Sequence, residues 1–176
     1  SNIYSSLAKM TLIALFIIYA LLAIPLKSYI QPTIVMSVIP FGLIGAIGGH
    51  FILGQPMSIL SILGFVALTG VVVNDSLVMI DYINKERLKG TTLKDAIEHS
   101  GVARFRPILL TSLTTFAGLL PVLFETSLQA QFLIPMATSL SFGVLFATFI
   151  TLVLVPAFYF IIEDLKQHFN NGNARA

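Results

Sequence analysis

An acidic residue interrupts an apolar stretch of the chain. In GVVVNDSLVMIDYIN, Asp75 stands ten residues before Lys85, the first cation that follows it. In a helix that separation is about 15 Å, at about 1.5 Å per residue. If the helix crosses a membrane, Asp75 lies near the middle of the bilayer, where a carboxylate costs about 2.5–3.5 kcal/mol on insertion scales. The group must then be protonated, paired or facing water. One chemistry that fits is carriage of a proton or an ion. The competing reading is a protonated acid bonded to a neighbouring helix for packing alone. Asn74 beside it either shares that role or bonds across helices. Asp81 shares the stripe of Asn74, seven residues on, and reads as a solvated or salt-bridged carboxylate near the interface.

A second set of polar residues lies in ARFRPILLTSLTTFAGLLPV. Arg104, Thr111, Thr115 and Gly118 share a helical face, because seven residues advance a helix by about 700°, nearly two turns. Thr114 and Thr115 are expected at the depth of Asn74 and Asp75, with Thr111 about one turn nearer the basic end. Hydroxyls at these levels would hold a water wire to the carboxylate. The alternative is that each back-bonds to the carbonyl four residues earlier or joins helices together. Arg106, next to Pro107, reads as a boundary residue.

Small residues mark where helices approach closely. FGLIGAIGGHFILG contains the GxxxG pair Gly45 and Gly49, and Gly42 and Gly48 thin the same surface. Gly118 is expected to do the same on its own helix. His50, near the outer interface, reads as a hydrogen-bonded interfacial residue. The chain has no cysteine, no HExxH, no Walker A sequence, no nucleophile elbow and no dinucleotide fingerprint. No metal site and no cofactor is expected. An intramembrane enzyme is disfavoured, since Asp75 lacks a second carboxylate within any spanning segment.

These residues need membrane helices to position them. Of 176 residues, 10% are charged and 56% belong to the hydrophobic set, with mean hydropathy +0.92. Soluble domains carry roughly 25% charged residues. The composition excludes an ordinary soluble enzyme, a disordered tail and a disulfide scaffold, and a net charge of +2 is too small to point to nucleic acid. The fold class is therefore an all-α, polytopic transmembrane helical bundle. Five spans are predicted, over residues 10–26, 33–53, 59–83, 107–124 and 132–162. The polar loop 84–106 includes Thr92 and Asp95 at capping-box spacing, with Leu93, Ala96 and Ile97 on one face, which predicts a short amphipathic helix on the cytoplasmic surface. The fifth span, rich in Phe and holding Pro135 and Pro156, is predicted to face lipid and to be kinked, and at about 46 Å to tilt or protrude. Residues 1–163 form the membrane bundle and 164–176 a polar, frayed tail. The chain opens on Ser1 and is expected to be a piece or processed product of something longer, with no secretory signal.

Basic residues orient the bundle. Lys27, then Lys85, Arg87, Lys89, Lys94, Arg104 and Arg106, then Lys166 and Arg175 fall on one side, and Lys9 alone falls on the other. The positive-inside rule places that majority in the cytoplasm, with the N-terminus periplasmic or extracellular and the C-terminus cytoplasmic.

GFVALTGVVVNDSLVMIDYIN, followed by ARFRPILLTSLTTFAGLLPV, resembles the resistance–nodulation–division (RND) superfamily in its AcrB-like multidrug efflux branch. IPLKSYIQPTIVMSVIPFGLIGAIGG resembles the preceding pair of spans of that family, and LVLVPAFYF its last span. The resemblance covers nearly the whole chain and corresponds to the last five of twelve spans. It implies the C-terminal membrane part of a proton-driven efflux pump of a bacterial inner membrane, exporting hydrophobic or amphiphilic compounds. Implied partners are the first repeat and periplasmic porter domains of the same pump, a periplasmic adaptor, an outer-membrane channel, membrane lipid and two further copies in a homotrimer. In the multidrug branch a relay uses two aspartates outside this chain, a lysine, an arginine and a threonine. The resemblance places the arginine at Arg104 and the threonine at Thr111, while the lysine position is occupied by Asn74. Asp75 falls where that family has a neutral residue. Either Asp75 takes part in the relay, or the relay depends on the absent aspartates with Asn74 as a neutral partner. The rival expectations are an isolated fragment without transport activity and an RND branch exporting lipids, metals or protein.

Overall fold

The computed structural model describes residues 2–173; Ser1 and residues 174–176, including Arg175, lie outside the described residues. Those described form seven helices and no strand: α1 (Asn2–Leu26), α2 (Gln31–Ser37), α3 (Ile39–Leu53), α4 (Ile59–Leu88), α5 (Leu93–Leu123), α6 (Leu128–Gln131) and α7 (Ile134–Asn173). With α2 and α3 counted together, five helical units are long and apolar enough to cross a membrane.

The second span is broken at Val38, one residue into a turn before Ile39 and Pro40. Proline has no N–H to donate to the carbonyl four residues earlier, and its ring crowds that carbonyl. α3 ends at Gly54, whose φ of 65° is the left-handed conformation that a residue without a Cβ adopts freely. α4 begins with a reciprocal box. The Ser58 hydroxyl accepts the Ser61 N–H at 3.3 Å, and the Ser61 hydroxyl accepts the Ser58 N–H at 3.1 Å. Thr92 caps α5 by accepting the Asp95 N–H at 3.3 Å, and Asp95 adds a negative charge to the first turn.

Three sequence expectations change. The amphipathic stretch from Leu93 does not form a separate surface element. It is the opening of a 31-residue helix that runs through Pro107 into the fourth span. A proline removes one ladder bond, and the turns on either side hold the helix together. The tail also continues α7 as helix as far as Asn173. The third change concerns the fifth span. α7 is the central helix of the bundle, packed on one face against α3, α4 and α5, and only its other face is left exposed. Its buried face carries Thr138, Ser141, Gly143, Ala147, Thr148 and Thr151, while Phe149 and Phe160 point outward. Phenylalanine content suggested lipid; the small side chains between the phenylalanines decide the packing. Lipid tails are as apolar as leucine, so helices associate in membranes through close van der Waals contact and hydrogen bonds. Pro135 is not a kink either, since it stands in the first turn of α7, where its missing N–H has no intrahelical partner.

The glycines set the contacts. A Cβ at Gly42 would meet Leu68, and at Gly45 and Gly49 it would strike Phe146 and Phe142 of α7. Gly64 packs on the Met136 backbone and Gly143 on Leu68. Phe142 also meets Phe116 of α5 edge-on, with centroids 5.7 Å apart. α1 buries only Leu22 and Leu26 and lies at the edge.

Candidate functional site

α4 and α5 are joined by a short connection and touch, and each carries one of the two polar stripes. On α4, Asp75 is half-buried and Asn74 exposed. On α5, Thr111 and Thr114 are exposed and Thr115 half-buried. At the basic end the stripes meet. The Arg104 guanidinium carbon lies 5.4 Å from the centroid of the Tyr82 ring. Tyr82 is seven residues after Asp75, and Thr111 is seven residues after Arg104. Each interval is two turns, about 10 Å. Counting from the Arg104–Tyr82 contact along the two helices puts Thr111 at the level of Asp75, where the sequence had led to Thr114 and Thr115; the contact shifts the register by about one turn.

The hydroxyls donate to their own helix. Thr111 donates to the Pro107 carbonyl at 2.9 Å, Thr114 to Leu110 at 2.7 Å and Thr115 to Thr111 at 2.8 Å. Each oxygen keeps a lone pair that can accept a hydrogen bond from water or from a protonated carboxyl. Among the described residues no direct hydrogen bond joins Asp75 or Asn74 to Arg104, Thr111 or Thr115. Arg104 keeps its buried Nε without a partner, and so does the Ser76 hydroxyl next to Asp75. Gly42, Gly45 and Gly49 lie in helix contacts, whereas Gly118 has open space around it.

Sequence reasoning missed the partners of three polar arrangements. His50, read as hydrogen-bonded, is buried between helices, and its Nε2 lies 2.8 Å from Ser139 of α7. Ser112 of α5 bonds Thr148 of α7. The largest arrangement closes the basic end. Gln31 and Asn84 exchange two amide hydrogen bonds at 3.1 and 2.8 Å, and the Tyr159 hydroxyl donates to Asn84 at 2.6 Å. Arg87 donates to Glu163 at 2.8 Å, and Lys166 reaches the same carboxylate at 3.2 Å. Polar residues in the last turns of apolar runs were the available signal, but their partners are 53 to 76 positions apart in the chain.

A bundle of five helical units long and apolar enough to cross a membrane, packed about a helix of small residues, defines a polytopic membrane protein. Residues 2–163 match the family model described as the AcrB/AcrD/AcrF family, and the chain belongs to this family of RND efflux transporters. It is 30% identical over 171 residues to the multidrug resistance protein MdtC of Edwardsiella ictaluri (strain 93-146), covering 97% of this chain and 17% of that protein. Two crystal forms of a heavy metal efflux pump superpose with TM-scores of 0.79 and 0.80, at 29% and 30% identity. They cover 92% and 89% of this chain, which spans 16% and 15% of theirs. The chain thus corresponds to about a sixth of the length of the relatives it matches.

Proposed function

We propose that this chain is the C-terminal membrane part of a proton-driven RND efflux pump of the bacterial inner membrane, exporting hydrophobic or amphiphilic compounds. The observation that carries the reading is Asp75, a half-buried acid with no ion-pair partner among the described residues, within an apolar helix that packs against α5. Asp75, Asn74, Thr111, Thr115 and Arg104 would form this chain's share of the proton pathway. Protonation of Asp75 would remove the penalty of a membrane charge and shift a conformational equilibrium of the pump. Exposed Asn74 and Thr111 at membrane depth are poor lipid contacts. The reading seats them against the first repeat of the same pump, beneath its periplasmic porter domains. The excess of cations at one end supports a cytoplasmic C-terminus and a periplasmic N-terminus. A homotrimer joined to a periplasmic adaptor and an outer-membrane channel completes the proposal.

The test is drug susceptibility of cells carrying full-length protein with Asp75→Asn. Loss of resistance at unchanged expression is expected; wild-type resistance would remove Asp75 from the mechanism. A second reading, export of a heavy metal, is favoured by the likeness to the heavy metal efflux pump. Metal tolerance of the same cells separates the two. The isolated chain is expected to give no proton flux in proteoliposomes, since the rest of the pump is required.

A further inference from the structure

The basic end of the bundle holds an open cleft of about 630 Å³ between the α1–α2 connection, α4 and α7. Four cations line it, Lys27, Lys85, Arg87 and Lys166, against two carboxylates, Asp81 and Glu163. Lys85 pairs with Asp81 at 2.8 Å, and Arg87 and Lys166 share Glu163. Lys27 has no ion pair among the described residues. The cleft therefore carries a surplus of positive charge at the level where a membrane helix leaves the hydrocarbon.

A second groove, of about 550 Å³, shares Lys27 and Ser28 with this cleft. Phe16, Tyr19, Ala20, Ala23 and Ile24 line it along α1. From Phe16 to Lys27 the helix rises about 16 Å. That is about half of a hydrocarbon core of about 30 Å, the depth of one leaflet. A cationic cleft continuous with an apolar groove one leaflet deep fits a molecule with an anionic head and an acyl chain. Basic pockets between membrane helices on the cytoplasmic side hold such headgroups.

We infer that the cleft at Lys27 and Lys166, with the α1 groove, is a binding site for an anionic glycerophospholipid of the inner leaflet. The phosphodiester sits against the surplus cations, and one acyl chain lies along Phe16 to Ile24. A free phosphate monoester shares the headgroup chemistry but has no use for the groove. The site is separate from the Asp75 stripe; the inference rests on the proposed orientation, with the basic end cytoplasmic, and not on the transport activity.

The test uses the full-length protein in detergent, with bound lipid counted by native mass spectrometry. The probes are phosphatidylglycerol, phosphatidylcholine with the same chains, and glycerol 1-phosphate. Phosphatidylglycerol is expected to be retained at least about tenfold better than phosphatidylcholine at this site, since one lost ion contact of about 1.4 kcal/mol is tenfold. Lys27→Gln with Lys166→Gln should lose one phosphatidylglycerol per chain. Ala20→Phe, on an exposed helix face, should lose it with every cation in place. Glycerol 1-phosphate should not displace it. Equal retention of the two lipids, unchanged retention in the Lys27→Gln/Lys166→Gln variant or in Ala20→Phe, or displacement by glycerol 1-phosphate would each overturn the inference. An unchanged elution profile and melting temperature confirm that each variant is folded, and Lys27→Gln alone replaces the double variant if it is not.

Discussion

Arg104 of α5 lies over the Tyr82 ring of α4, 5.4 Å from its centre, and this contact fixes the relative register of the two polar stripes. A cation over an aromatic face is stabilised by about 0.5–2 kcal/mol, depending on how far it is desolvated. Tyr82→Leu removes the face and should lower the melting temperature of the full-length protein, by an amount corresponding to about 1 kcal/mol. Tyr82→Phe keeps the ring and should melt within about 0.5 kcal/mol of wild type. If both variants melt alike, the ring face contributes nothing.

The α3–α7 contact makes a second expectation. A Cβ at Gly49 has nowhere to go except into the Phe142 ring. Overpacking of this kind costs about 1–3 kcal/mol, so Gly49→Val should destabilise strongly. Gly48 and Gly118 have no neighbour within 4 Å of such an atom. Gly48→Ala and Gly118→Ala should be neutral or stabilising by up to about 1 kcal/mol, the helix preference for Ala over Gly. Thermal unfolding in detergent ranks the three. A drop for Gly118→Ala would mean that this helix face meets another part of the pump.

At the basic end, the size of the effect should depend on which group is left alone. Tyr159→Phe removes the bond donated to Asn84 and the long one accepted from Arg87 at 3.4 Å, but Asn84 still accepts from Gln31 and Arg87 still holds Glu163, so a loss of about 1 kcal/mol is expected. Asn84→Leu strands the buried Gln31 amide and takes away the acceptor of the Tyr159 hydroxyl, and about 1–3 kcal/mol is expected for each group left unsatisfied. Unfolding of the two variants side by side tests the order; a milder effect for Asn84→Leu would contradict the assigned bonds.

Spans were legible because apolar runs of this length have few alternatives in a chain with so little charge. The Thr92 cap was legible too, since a cap is a local pattern. What the sequence hid was which helix takes the centre. Hydrophobicity does not separate a lipid-facing helix from a buried one, and in α7 the answer lay in Ser, Thr and Gly scattered among the phenylalanines. The continuity of α5 was hidden for a different reason. Pro107 looks like a boundary from its own chemistry, and only the turns on either side show that the helix survives it. The candidate residues Asp75, Asn74, Thr111, Thr115 and Arg104 could be named because polar side chains stand out in apolar runs and because the family resemblance points to three of them. The Arg104–Tyr82 contact, which relates their two helices, joins residues 22 positions apart and had no local signature.

The proposed role of Asp75 is most directly tested by proton movement. Full-length protein in proteoliposomes, loaded with a pH-sensitive dye and given substrate, should move protons in the wild type. Asp75→Asn should lower the rate at least about tenfold, the loss of about 1.4 kcal/mol or more of driving interaction, and Asp75→Glu should retain part of it. Proton movement at the wild-type rate with Asn at position 75 would contradict the proposal.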